Sequence, residues 1–262
     1  MPYIEAGPHV VSDVANRMGN CTRRFGVELE VSEADNWNAL ERDSDRVFGI
    51  KSDGSVSGDG LEFYSPILQG DPGIEAVENL CAYASENGWN ADESCGYHLH
   101  IDCSDLNGVQ KKRVYYAYKL TEKLWHRFVP SDRLCGSWCH PIEIPAAEIR
   151  NMTFTEIRNR VSRGEYGRYI WANICSLSHH RTIEIRLHNG TVDSDAVVNW
   201  IKAHVMFLDK VKDMLLTRID RRFLNKTVDA QFSALETMWG DADLSAYYRR
   251  RAARTTRALN IE

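Results

Sequence analysis

Residues 23–32 read RRFGVELEVS, and their alternation is strict: Phe25, Val27, Leu29 and Val31 fall on one parity, Gly26, Glu28 and Glu30 on the other. A period of two is that of a strand with one buried and one open face, so two carboxylates stand side by side on the open face. Three more stretches repeat the pattern. LEFYSPIL (61–68) sets Leu61 and Phe63 against Glu62 and Tyr64. CGYHLHID (95–102) sets Leu99 and Ile101 against His98, His100 and Asp102. RTIEIRLHNG (181–190) sets Ile183, Ile185 and Leu187 against Glu184, Arg186 and His188. RVFGIK (46–51) and RYIWANICSL (168–177) are further strand candidates, and SDGSVSGDG (52–60) is a loop.

Between the strands the period becomes helical. Asp71 reads as the cap of a helix with Pro72 at its first position and Gly88 past its end. Val114, Ala117, Leu120 and Leu124 place one helix over 108–128, before Pro130. Residues 131–151 read as irregular, and Thr153 opens a short helix ending near Gly164. From Ser194 the pattern is helical: a long segment to about Arg218, then two shorter ones divided near Gly240. Half-buried strands with helices between them imply an α+β fold, an antiparallel sheet laid on helices with its polar face open. The chain divides into a sheet-bearing region with inserted helices, 1–193, and a helical region, 194–262, that packs on the same domain and ends in an arginine-rich tail.

Hydrophobic content of 43% and charged content of 26% are those of a soluble globular protein, and a net charge of −5 excludes a basic field over the whole surface. Arg249, Arg250, Arg251, Arg254 and Arg257 gather in the tail. They read as a solvated terminal helix, or as a contact for nucleic acid, another phosphate-rich partner or a neighbouring subunit. Seven cysteines without a secretion signal fit a reduced, cytoplasmic protein. No stretch reaches the ~18 apolar residues of a membrane span. Even the run from Val197 to Leu216 is broken by Lys202, Asp209, Lys210, Lys212 and Asp213.

The chemistry lies on the open parity. Adjacent carboxylates repel unless a cation lies between them or one is protonated. Several carboxylates with one or two imidazoles make a hard, oxygen-rich set suited to Mg²⁺ or Mn²⁺. An arginine among them is poorly placed to ligate a metal and well placed to hold a metal-bound anion, phosphate above all. The set therefore suits metal-assisted phosphoryl transfer. Neither a P-loop nor a G-x-G-x-x-G turn before a helix is present, so those phosphate cradles are excluded.

In this order, FGVELE, DGS followed by GLEFYSP, CGYHLHID, RYIWANICSL and RTIEIRLHNGT resemble the amidoligase family over roughly residues 22–192. That family is similar to the catalytic domains of glutamine synthetase and the carboxylate–amine ligases, with members in bacterial and phage settings. The resemblance implies a curved antiparallel sheet whose concave polar face binds ATP and divalent metals. It implies metal ligation by Glu28, Glu30, Glu62, His98 and Glu184, with Glu28 and His98 also in the catalytic set. Arg186 would neutralise the transferred phosphoryl group, and His100 would lie near the nucleotide or substrate. Asp53 matches a recurrent position grouped with the catalytic residues; Ser55 and Asn173 match positions grouped with cofactor binding. The activity implied is ATP-dependent joining of a carboxylate to an amine through an acyl phosphate. Segment 130–165 and the region after about 195 carry no matching motif.

Other readings compete. His98 and His100 with a carboxylate could hold Zn²⁺ in a hydrolase, or the fold could be an inactive ligase-like binding module. Cys135, Cys139 and His140 form C-x₃-C-H, close to a zinc spacing that Cys95 or Cys103 could complete, with buried reduced thiols as the plainer reading. Cys139 beside His140 is also a nucleophile candidate. His179 and His180 read as surface residues in a turn, and Trp125, Trp171, Trp200 and Trp239 as core.

Overall fold

A computed structural model describes residues 18, 21–32, 48–58, 60–135 and 137–259, with the side chains of 135 and 256–259 outside that set. Six strands make one sheet: β1 (Phe25–Val31), β2 (Gly49–Ser52), β3 (Leu61–Tyr64), β4 (Gly96–Asp102), β5 (Ala172–Asn173) and β6 (Thr182–Asn189). The order is β2-β3-β1-β4-β6-β5, every pair antiparallel. The helices are α1 (Gly70–Glu86), α2 (Gly108–Leu120), α3 (Glu122–His126), α4 (Ser131–Cys135), α5 (Ala146–Asn151), α6 (Phe154–Arg163), α7 (Ser194–Val211), α8 (Leu216–Phe223), α9 (Val228–Trp239) and α10 (Ala242–Leu259). The fold is mixed α+β, with a six-stranded antiparallel sheet and ten helices among the described residues.

The apolar parity of each strand is what the sheet buries. Phe25, Val27, Leu29, Val31, Leu61, Phe63, Leu99, Ile101, Ile183 and Ile185 all lie in the core. Removing such a face from water stabilises at roughly 25 cal/mol per Å², so it must be covered. The central cover is α7, apolar most of the way round, from Val197 and Trp200 to Phe207 and Val211. It packs on β4, α1, α2, α9 and α10, while α2 carries α5, α6 and α8. Trp125, Trp171, Trp200 and Trp239 are all buried. No helix among the described residues is long and apolar enough to cross a membrane.

Several elements differ from their sequence reading. The N-cap of α1 is Gln69; Asp71 lies in the first turn, where its charge meets the positive helix end. Gly88 takes the left-handed conformation (φ +72°) just past that helix. The helix read over 108–128 is two. Thr121 Oγ1 donates to Ala117 O (2.8 Å) and accepts from Trp125 Nε1 (3.0 Å), closing α2 and anchoring α3. The long helix from Ser194 stops at Val211, and α8 begins at Leu216. The segment read as irregular holds α4 and α5. Of RYIWANICSL only Ala172–Asn173 is strand, flanked by 3-10 turns at Gly167–Tyr169 and Cys175–Ser178.

His188 is the informative exception. Tyr97 pairs with His188 and Leu99 with Ile185, so one residue of β4 faces two of β6. This bulge at Arg186–Leu187 reverses the parity beyond it and turns His188 to the helix side, against the sequence reading. There its ring meets Tyr97 (5.4 Å) and Trp200 (4.9 Å). Nδ1 donates to Asn189 O (2.7 Å), and Nε2 accepts from Arg251 of α10 (3.1 Å). Asp102 leaves the set too, pairing with Arg24 (2.8 Å) at the strand end.

Candidate active site

The open face of the sheet floors a cleft of about 550 Å³. Antiparallel register supplies its rungs. Glu30 stands opposite Glu62, Glu28 opposite His98, His100 opposite Glu184, and Glu184 opposite Asn173. Directly opposed residues have Cβ atoms roughly 5 Å apart, so charges on neighbouring strands converge without any loop bringing them together.

Two groups of potential ligand atoms result. One atom each from Glu28, His100 and Glu184 lies within 4.8 Å of the others, and the same holds for Glu30, Asp53 and Glu62. His98 sits between the groups. Its Nδ1 is 3.1 Å from Glu28 Oε2 and 3.8 Å from Glu184 Oε1, and its Nε2 is 3.7 Å from Glu30 Oε1. Asp53 is aimed by its own loop, its Oδ1 accepting from Ser55 N (2.8 Å) and Ser55 Oγ (2.6 Å). Asn173 donates to Glu184 Oε2 (2.7 Å) and accepts from Cys175 N (2.8 Å). Arg186 pairs with Glu184 Oε1 (2.5 Å) and donates through Nε to Trp138 O (3.2 Å). His100 Nδ1 bonds the hydroxyl of Thr182 (2.8 Å).

The electrostatics follow from this crowding. Burial and the nearby Glu28 charge push the Glu62 carboxyl up to about 7, although Lys51 lies 2.6 Å away. Burial opposes ionisation of Glu28, but hydrogen bonds with His100 and His98 outweigh it and hold the carboxyl below its usual range. Glu184 is also held low, burial being outweighed by Arg186 and the two histidines. His100 is raised: Glu28 and Glu184 overcome the cost of burying its cation. Two groups of acids with imidazoles between them form a site in which Lys51 is the one cation paired directly with Glu62 among the described residues.

Glu28, Glu30, Asp53, Ser55, Glu62, His98, His100, Asn173, Glu184 and Arg186, the residues expected from sequence, all line this cleft. Six of them divide between the two groups of donor atoms. His100 falls with Glu28 and Glu184, Asp53 falls with Glu30 and Glu62, and His98 bridges the groups. Lys51, Arg133, Trp138, Arg168, Tyr169 and Ser176 also line the cleft and were not expected. Lys51 could have been found from its register opposite Glu62. Arg133 and Trp138 belong to a segment without period. His179 and His180 are exposed, as read, but at the rim of the cleft.

Among the described residues, Cys139 and His140 belong to no group of converging ligand atoms. Cys139 is buried, its thiol donating to Arg133 O (2.8 Å), while the His140 ring stacks on Tyr166 (3.7 Å). The Cys135 side chain is outside the described residues. In the tail, Arg249 makes a two-point pair with Glu236 and Arg251 turns inward to β6; the Arg257 side chain is outside the described residues.

A family model described as "Putative amidoligase enzyme" matches residues 52–208, more than half of the 262-residue chain. The match runs from the end of β2 into α7 and leaves out β1, which supplies Glu28 and Glu30. No curated protein matches the chain.

Proposed function

The chain belongs to the amidoligase family, and from that premise we propose that it is an ATP-dependent carboxylate–amine ligase built on a glutamine synthetase-like sheet. An oxygen of the acid substrate attacks the γ-phosphorus of ATP and the bond to ADP breaks, leaving an acyl phosphate. The amine nitrogen then attacks the acyl carbon, inorganic phosphate leaves with the electron pair of the C–O bond, and the nitrogen gives up a proton to yield the amide.

The observation that carries this reading is the pair of hard-donor groups in one cleft, with Arg186 beside them on Glu184. A cation fits the group of Glu30, Asp53 and Glu62, because Glu30 and Glu62 are opposed, both buried, and Lys51 alone pairs with Glu62 among the described residues. Carboxylate oxygens with an occasional imidazole favour Mg²⁺ or Mn²⁺ over softer ions. Glu28, His100 and Glu184 would hold one ion, and Glu30, Asp53 and Glu62 another. Bound there, such ions supply charge neutralisation for the phosphate oxygens.

The chain's own groups do the rest. Glu184 and the Trp138 carbonyl fix the Arg186 guanidinium, so its remaining donors would meet the transferred phosphoryl group with little reorganisation. Asn173 fixes Glu184, and Thr182 fixes the ring of His100. A carboxylate or imidazole of the cleft takes the proton of the attacking amine. The test is a panel of carboxylic acids with Mg-ATP and hydroxylamine as a surrogate amine. ADP and hydroxamate formed in equal amounts support the reading. ADP formed without hydroxamate for any acid would make the protein an ATPase instead.

A further inference from the structure

Arg133 stands out in the cleft. It lies in α4 and is 6% exposed, yet no carboxylate pairs with its guanidinium among the described residues. Nη2 donates to the backbone oxygen of Arg186 (3.1 Å), and Nε is buried without a partner. A guanidinium cannot shed its proton, so the fold cannot relieve this charge by neutralising it. Glu30 Oε2 lies close by on the other side of Gly96 but makes no direct ion pair with Arg133, and a buried guanidinium short of hydrogen-bond partners is costly. Arg186 beside it is already paired with Glu184.

The surroundings hold Arg133 in this position. Cys139 donates to its carbonyl, and the chain beyond is bridged to the strand side by His140 N to Tyr169 O (2.7 Å) and Trp171 N to His140 O (2.9 Å). A Cβ added at Gly96 would stand 2.5 Å from Arg133 Nη2, 2.9 Å from His98 Nε2 and 3.2 Å from Glu30 Oε2. Glycine at that position therefore lets the guanidinium reach the edge of the carboxylate floor.

We propose that Arg133 and Arg186 together form an oxyanion subsite that binds the oxygens of a phosphoryl group beside the two carboxylate groups. A tetrahedral phosphate accepts hydrogen bonds from several directions at once, which suits two forks approaching from different elements; a planar carboxylate is filled by one fork. The terminal phosphoryl of a nucleotide and free inorganic phosphate present the same chemistry. Only the choice between these two sources rests on the ligase reading.

The experiment titrates inorganic phosphate, Mg-ATP and Mg-ADP separately into the full chain, as wild type, Arg133→Met and Arg133→Lys, with melting curves of each in the absence of anion. Wild type is expected to bind phosphate, Arg133→Met to bind it roughly tenfold or more weakly, and Arg133→Lys to fall between them. Without anion, Arg133→Met is expected to melt at or above wild type, since it removes an unpaired buried charge and keeps the volume of the stem. A loss shared by phosphate and Mg-ATP and absent for Mg-ADP makes the terminal phosphoryl the source. Phosphate binding that depends on Arg133, with no nucleotide bound by wild type, keeps the subsite and sinks the ligase reading. The subsite itself is overturned if both variants match wild type for phosphate and Mg-ATP, or if wild type binds neither. It is also overturned if both variants melt well below wild type without anion, because the charge would then be balanced within the fold.

Discussion

Replacing Glu62 by glutamine should make the metal-free protein more stable while weakening its hold on Mg²⁺. Burial and the Glu28 charge lift this carboxyl from an ordinary 4.5 to about 7. The pKa is higher folded than unfolded, so between pH 4.5 and 7 the folded chain keeps a proton that the unfolded chain has lost. Stability therefore falls as pH rises through that window, and the cost is complete above pH 7. At about 1.4 kcal/mol per pH unit, the shift amounts to about 3 kcal/mol. Glutamine keeps the shape and removes the charge; losing the Lys51 pair returns less than ~1 kcal/mol, since the lysine is largely exposed. A net gain of about 2 kcal/mol corresponds to roughly 4–8 °C for a chain of this size. Scanning calorimetry in EDTA should show that rise for Glu62→Gln at pH 8 and little difference at pH 5. Millimolar Mg²⁺ should then stabilise wild type more than the variant. A variant that melts below wild type at both pH values would show that Glu62 is satisfied without a cation, and would refute the reasoning.

Other perturbations probe separate parts of the structure. Burial and the charge of Arg251 hold His188 down to about 3, so folded stability is lost as pH falls from about 6.5 toward that value. Long-range ¹H–¹⁵N spectra at pH 5 should show this ring neutral with its proton on Nδ1; a cationic ring would contradict the assigned contacts. Arg251→Ala leaves His188 Nε2 and Phe128 O without their donor. It should cost about 2–4 kcal/mol by urea denaturation, and a cost near zero would mean that α10 does not hold β6. Gly96→Ala drives a methyl group into the ends of Arg133, His98 and Glu30. Mg²⁺ affinity should drop roughly tenfold or more for about 1–2 kcal/mol of stability; unchanged affinity would place the ions elsewhere.

Strand parity reveals much of the site because one face of every strand must be apolar to cover the helices. What remains, Glu28, Glu30, Glu62, His98, His100, Glu184 and Arg186, is the polar set that lines the cleft. Parity fails at His188 because a bulge is a relation between two strands, and nothing in β6 alone marks the extra residue. Arg133 and Trp138 were illegible for a similar reason. Their segment has no period, and its place over the cleft depends on the bridge between His140 and Ile170. Thr121 splits a helix through its side-chain bonds to Ala117 and Trp125, although the apolar spacing runs straight through it. Non-local pairings of this kind decide how the carboxylates and imidazoles of the cleft are grouped, whereas the residue types were readable from the strands themselves.

The most direct measurement is a calorimetric titration of Mg-ATP into wild type and into Glu28→Gln, with metal content determined beforehand. Binding that requires Mg²⁺ and is weakened roughly tenfold or more by a change that removes one ligand charge is the expected result. A well-folded wild type that binds no Mg-ATP and carries stoichiometric zinc would contradict the ligase and leave His98 and His100 as the centre of a hydrolase.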